Sequence, residues 1–188
     1  MIRIGILGDI GSGKSYIARC FGYPVFNADK EVSKLYKSDL KVFKKLKKSL
    51  PKFINSFPIS KIEITKAILA NQNNLKKIIK IIHQEVRNKM NVFLRKNKKK
   101  KFIILDIPLL LENKINNKRD ILVFVESKQS DILRKLKSRN NFNKELYKKF
   151  KRIQLPISYK KKKSHYIIKN NFNKKSARKN VKDILERI

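Results

Sequence analysis

Apolar residues along the chain follow two rhythms. Short apolar runs stand at Met1–Leu7, Tyr23–Phe26, Phe102–Leu105, Ile121–Glu126 and Tyr166–Lys169. Runs of that length without polar alternation predict strands buried on both faces. Only Arg3 breaks the first, and Pro24 stands near the start of the second. Between these runs the spacing turns helical. It predicts helices over Lys14–Phe21 (with Gly22 to stop it), from Asp29 through Val32, Leu35 and Tyr36, and from Val42 to Leu50. Ile64–Leu94 reads as helices whose apolar face carries Leu75, Ile78, Ile79, Ile82 and Val86. Asp131–Ser138 and Ser176–Ile188 complete the helical set, while Pro51–Pro58 reads as loop. Asn140–Phe150 is a polar, basic stretch closed by Arg152–Pro156. Strands alternating with helices predict an α/β fold around a central parallel sheet covered on both faces. No internal repeat or interdomain linker stands out.

Composition adjusts this picture in two places. At 188 residues, 41% of them hydrophobic, the chain suits one domain with a real core despite its charge. The charge itself is extreme, with 49 Lys and Arg against 14 Asp and Glu. One reading is nucleic-acid binding, because cations that neutralise phosphates supply most non-specific affinity. The other is mutational: Lys, Asn and Ile share AT-rich codons, so runs such as Lys98–Lys101 and Lys160–Lys163 fill solvated surface. The second is preferred, since the lysines are spread along the chain with no aromatic stacking pattern among them. No apolar run approaches the roughly 20 residues that span a bilayer, and the start does not resemble a signal peptide. The single cysteine, Cys20, fits a cytoplasmic setting.

The chemistry begins at Gly8-Asp9-Ile10-Gly11-Ser12-Gly13-Lys14-Ser15, which matches G-x-x-x-x-G-K-[ST] in full. Glycines let the backbone curl so that successive N–H groups face phosphate oxygens. The following helix offers its positive end to the same anion. Lys14 supplies a mobile charge for the β- and γ-phosphates of a nucleoside triphosphate, and the Ser15 hydroxyl can ligate Mg²⁺. All five glycines of the chain lie within its first 22 residues, concentrated where a phosphate would sit. Two carboxylates stand at strand ends, where ligands of open α/β sheets bind. Asp29 suits the role of base for a hydroxyl, or else caps the helix that follows. Asp106 is a contact to Mg²⁺ through water, a substrate contact, or a turn residue before Pro108.

Taken with its other motifs, the sequence resembles the dephospho-CoA kinase family. The opening Ile4-Gly5-Ile6-Leu7 and phosphate loop match that family's start, and Asn27-Ala28-Asp29 is similar to its Asp-Ala-Asp. His83-Gln84-Glu85-Val86-Arg87 resembles its His-Pro-x-Val-Arg, and Asp106-Ile107-Pro108-Leu109-Leu110-Leu111-Glu112 its Asp-x-Pro-Leu-Leu-Phe-Glu. Arg152-Ile153-Gln154-Leu155-Pro156 and Tyr166-Ile167-Ile168-Lys169-Asn170 are similar to its closing motifs. The matches keep the family's order over nearly the whole chain. Departures are Asn27 for the first Asp, Tyr16 for the usual Thr, Gln84 for Pro, and Thr65-Lys66 for Asp-Arg.

The resemblance implies a three-layer P-loop kinase fold in a single domain. Its core spans about 1–29, 96–138 and 157–188, its helical substrate-binding region about 30–95, and its small lid about 139–156. It implies ATP-dependent phosphorylation of the ribose 3′-hydroxyl of dephospho-CoA, with Mg²⁺. Asp29 becomes the base, and Lys14, Arg139 and Arg152 neutralise charge on the transferring phosphoryl. Nucleotide contacts fall to Gly8, Gly11, Ser12, Gly13, Lys14, Ser15, Tyr16 and Asn170, with Ser15 on the metal. Substrate contacts fall to Asp29, His83, Arg87, Asp106, Pro108 and Leu109; for His83 a purely structural helix histidine is the competing reading. The expected partners are the two small molecules alone, with no membrane, no required nucleic acid, and a monomeric state. Other P-loop small-molecule or nucleoside monophosphate kinases remain the nearest alternative class, and a basic nucleic-acid binder with a vestigial loop the more distant one.

Overall fold

A computed structural model describes residues 1–140 and 142–188. Its elements run β1 (Ile2–Gly8), α1 (Lys14–Cys20), β2 (Val25–Asn27), α2 (Ala28–Ser38), α3 (Leu40–Ser49), α4 (Lys61–Ala70), α5 (Gln72–Lys96), β3 (Phe102–Asp106), β4 (Ile121–Glu126), α6 (Gln129–Lys137), α7 (Lys144–Arg152), α8 (Ile157–Lys162), β5 (Tyr166–Lys169) and α9 (Lys174–Leu185). The chain divides into two compact units. The first comprises Met1–Asn27, Asn97–Asn143 and Lys149–Ile188; the second comprises Ala28–Lys96 and Lys144–Lys148.

The first unit is an α/β layer structure on a five-stranded parallel sheet of order β2-β3-β1-β4-β5. Ile4 and Ile6 of β1 point into a cluster with Ile17 and Ala18 of α1 and with Val181 and Ile184 of α9. Residues of opposite pleat, Leu7, Ile103, Leu105 and Phe124, are buried as well. Both faces of the sheet are therefore covered, which is why its strands read as unbroken apolar runs. Arg3, the one polar interruption, is anchored through one guanidinium nitrogen: Nη2 donates to Ile115 O at 3.0 Å and to Asp120 Oδ2 at 2.8 Å, while Nε is buried without a partner among the described residues. All strands run the same way, so Gly8, Asn27, Asp106 and Glu126 end at one edge of the sheet. Ligands of open parallel sheets sit beyond that edge.

The second unit is helical. Leu75, Ile78, Ile82, Val86 and Met90 make a buried stripe along α5, against which α2, α3 and α4 pack. Two caps fix the helix starts. Asp39 accepts from Val42 N at 3.0 Å at the start of α3. At α4, Ser60 Oγ accepts from Ile62 N at 3.2 Å while Glu63 reaches back to Ser60 N at 3.3 Å, a reciprocal capping box. The second Glu63 oxygen also accepts from Asn55 N at 2.9 Å and Ser56 N at 3.1 Å, tying down the loop before α4.

Several boundaries differ from those the spacing predicts. The polar stretch 140–150 contains most of α7, none of whose side chains is fully buried; its apolar positions Leu146, Tyr147 and Phe150 are helically spaced and half-buried, but few and set among lysines. Asn141 in that stretch lies outside the described residues. Helix α8, at six residues, is too short to show a period. Helix α9 begins two residues earlier than Ser176, where Asn173 caps it by accepting from Lys175 N and Ser176 N at 2.9 and 3.1 Å.

Candidate active site

The glycine-rich loop leaves β1 at the carboxyl edge of the sheet and runs directly into α1. Two of its glycines are required by geometry. Gly11 has φ 83° and Gly13 φ 91°, a region where a Cβ is strained, and a Cβ on Gly11 would also stand 2.9 Å from Leu136 Cγ of α6. A Cβ on Gly13 would collide with the Asn170 amide. Two side chains from outside the loop meet at one of its atoms. The Ser12 carbonyl accepts from Asn170 Nδ2 at 2.8 Å and from Ser127 Oγ at 3.0 Å. Asn170 is 5% exposed and held in turn, because its Oδ1 accepts from Phe172 N at 3.0 Å and its own N–H donates to Glu126 O at 2.7 Å. The Ser12 hydroxyl is buried and has no hydrogen-bond partner among the described residues.

Inside the loop, Lys14 Nζ donates to Asp9 O at 2.6 Å and to Gly8 O at 3.2 Å. Ser15 is half-buried in the first turn of α1. Tyr16, expected beside a nucleotide, packs partly buried against the main core with the Arg19 guanidinium 6.0 Å from its ring centre. Among the described residues no group of three or more His, Cys, Asp or Glu side chains gathers as a metal site. The donor the loop offers Mg²⁺ is the Ser15 hydroxyl. That fits an ion that keeps several waters and otherwise ligates substrate phosphates.

Asp106 closes β3 at 3% exposure, directly opposite Asn27 of β2 in the strand register. The Asn27 amide donates to the Asp106 carboxylate. An aspartate at position 27 would set two carboxylates in contact here, so the departure at Asn27 leaves Asp106 as one anion with a hydrogen-bond donor. Pro108 and Leu109 follow in a tight turn, in which Leu109 O accepts from Asn113 N at 3.1 Å and from Asn113 Nδ2 at 2.9 Å.

Two sequence motifs meet through residues the spacing did not single out. Glu112, the last residue of the Asp106–Glu112 motif, accepts from Leu155 N at 3.0 Å and from Lys160 Nζ at 2.6 Å. Lys160 also donates to Gln154 Oε1 at 3.2 Å. Lys160 is 2% exposed. This corrects the reading of the Lys160–Lys163 run as solvated surface. Lys161 likewise pairs with Glu126 at 2.6 Å. Nothing local distinguishes Lys160 from its three lysine neighbours; only the long-range partner does. The same holds for Asp9, buried in the loop and paired with Lys151 of α7.

Arg139 and Arg152 belong to the first unit and are both exposed, Arg152 as the last residue of α7. Asp29, His83 and Arg87 belong to the second unit. Asp29 is exposed in the first turn of α2. His83 and Arg87 lie one turn apart on α5, on neighbouring surface positions. Between them, the Glu85 carboxyl is held below its ordinary range by the hydrogen bond from Lys45, at 2.8 Å, against the opposing effect of burial.

Comparison with known proteins adds to this geometry. The family model described as dephospho-CoA kinase matches residues 2–176. The dephospho-CoA kinase of Wolbachia pipientis wMel is 35% identical, with 97% of this chain and 96% of that protein covered. Among solved structures, a Thermus thermophilus protein aligns with a TM-score of 0.76 at 23% identity, covering 100% of this chain and 97% of that one. Dephospho-CoA kinase from Campylobacter jejuni aligns with a TM-score of 0.64 at 20% identity, covering 98% and 96%. At these identities the structural likeness speaks to the fold.

Proposed function

The chain belongs to the dephospho-CoA kinase family, and from that premise we propose how its residues divide the work of the reaction. The activity is ATP-dependent phosphorylation of dephospho-CoA in coenzyme A biosynthesis. The observation that carries the assignment of residues is the Gly8–Ser15 loop, curled by positive φ at Gly11 and Gly13 and fastened at the Ser12 carbonyl by two side chains.

In this reading Gly8, Gly11, Ser12 and Gly13 line the triphosphate, and Lys14 exchanges its loop carbonyls for phosphate oxygens. Asn170 keeps the loop in shape through Ser12. Ser15 is the residue that would hold a Mg²⁺ ion, which when bound would supply neutralisation of the phosphate charge. Asp29 accepts the proton of the ribose 3′-hydroxyl. As the 3′ oxygen bonds to the γ-phosphorus, the bond from that phosphorus to the β–γ bridging oxygen breaks, giving CoA and ADP. Arg139 and Arg152, exposed and always charged, neutralise the transferring phosphoryl from a lid at about 139–156. His83, Arg87, Asp106, Pro108 and Leu109 contact dephospho-CoA, with 30–95 as its binding region. The proposal takes the enzyme as a cytoplasmic monomer. No helix among the described residues is long and apolar enough to cross a membrane.

The test is a coupled assay with Mg²⁺, ATP and dephospho-CoA that scores ADP and CoA together, with Asp29→Asn alongside. Loss of a general base lowers kcat by about 10²–10⁴. Equal rates for the two proteins would remove Asp29 from the mechanism, while ATP binding without CoA would overturn the substrate assignment.

A further inference from the structure

The residue after Gly8 in the phosphate loop is an acid. Asp9 is 4% exposed, and each of its oxygens is engaged. Oδ1 accepts from Ile10 N at 2.7 Å, and the backbone carbonyl accepts from Lys14 Nζ at 2.6 Å. Oδ2 is paired with Lys151 Nζ, from the last turn of α7. A carboxylate fixed inside a loop that must receive a polyphosphate works against its own ligand. Like charges within a few ångströms repel strongly where burial lowers the effective dielectric, and a buried charge left alone is costly besides. The lysine is the group that answers both. It is partly exposed, with 36% of its side chain accessible, whereas Asp9 is sealed.

We infer that Lys151 is a positioning residue of the nucleotide site, whose ammonium cancels the charge of Asp9 and so keeps the loop receptive to phosphate. This rests on the reading of Gly8–Ser15 as the ATP site. Lys151 acts through Asp9 and so differs in role from Arg139 and Arg152, which act on the transferring group. Repulsion from an uncompensated Asp9 falls on bound ATP and on the transition state alike. It therefore appears in binding more than in turnover.

The experiment measures ADP affinity by calorimetry, and KM for ATP and kcat in the coupled assay. It uses the whole chain as wild type, K151M, K151R, D9N and D9N/K151M. K151M is expected to weaken ADP and raise KM for ATP by about tenfold or more, with kcat at saturating ATP within about threefold of wild type. K151R, which keeps the charge, recovers most of that loss. D9N/K151M also recovers it, because neither charge remains, and this rescue excludes misfolding as the cause of the K151M defect. K151M with wild-type affinity and only a lowered melting temperature would make the pair a tether for α7 and overturn the inference. A double variant as weak as K151M would overturn it too, by showing that Lys151 acts on something other than Asp9. Wild type that bound no ADP would bring down the ATP site itself, a result distinct from either.

Discussion

Replacing Lys160 with Met is the sharpest probe of how the core is joined to the Arg152–Pro156 stretch. Lys160 is 2% exposed, and its Nζ lies 2.6 Å from Glu112 Oε1, whose side chain is 9% exposed. The other Glu112 oxygen is buried without a hydrogen-bond partner among the described residues. After the substitution the carboxylate keeps only Leu155 N, at 3.0 Å. Removing one partner of a buried pair costs about 3–5 kcal/mol, chiefly because a buried charge is left uncompensated. For a chain of this size each kcal/mol lowers the melting temperature by about 2–4 °C, so K160M is expected to melt at least 6 °C below wild type. Lys162 is the control, two residues along the same run and exposed; surface changes of that kind stay within about 0.5 kcal/mol. E112L/K160M, which removes both charges, should recover much of the loss. Thermal unfolding followed by circular dichroism reads all four proteins. Equal melting temperatures for K160M and K162M would refute the reasoning, since they would make Lys160 as dispensable as a solvated lysine.

Two further outcomes follow from other parts of the structure. Asn27→Asp sets two carboxylates in contact at the ends of β2 and β3 and raises the pKa of one of them. A raised carboxyl binds its proton more tightly when folded, so the variant should lose about 1.4 kcal/mol at pH 8 for each unit of the rise and regain it as the pH falls towards 5. A loss independent of pH in urea titrations would rule that cause out. In the second unit, burial raises the Glu63 carboxyl, but hydrogen bonds from Asn55, Ser56 and Ser60 outweigh it and hold its pKa below the ordinary 4.5. A lowered carboxyl contributes stability above its unfolded pKa and loses it as the pH drops through the folded value. Glu63→Gln should therefore lose stability near neutrality and very little below pH 3, and parallel pH–stability curves for the two proteins would contradict this.

Much of the candidate site could be read from the sequence because its signals are local. The Gly8–Ser15 loop needs glycine at positions fixed by backbone dihedral angles, and Asp106 and Asn170 stand at the ends of short apolar runs bounded by helical spacing. The buried pairs could not be read that way. Lys151 and Lys160 are two among 49 Lys and Arg, and what sets them apart is a partner 142 residues away for Lys151 and Glu112 for Lys160. Charge composition reports the solvated majority and hides the few that are enclosed. Helix α7 is hidden for a related reason: its three apolar side chains, Leu146, Tyr147 and Phe150, are helically spaced but outnumbered by the charged residues around them. Asn27 shows the complementary case, a departure visible in the sequence whose meaning needed the strand register to bring it against Asp106.

The sheet order also bears on how the polypeptide is made. β1 lies at the centre of the sheet, yet its neighbours come from far along the chain: Ile2 aligns with Phe102, and Ile4 with Ile121. During synthesis the strand leaves the ribosome long before either neighbour exists. Its apolar edges have nothing to pair with until more than half the polypeptide has emerged. Closing loops of that length is slow, and exposed strand edges invite association with other chains in the interval. The phosphate loop waits longer still, since the amide that fastens it belongs to Asn170, beyond the last strand. A nascent chain stalled before that point carries every glycine of the loop and none of the fastening from Asn170. Chains truncated before residue 170 should accordingly bind nucleotide far more weakly than the whole chain.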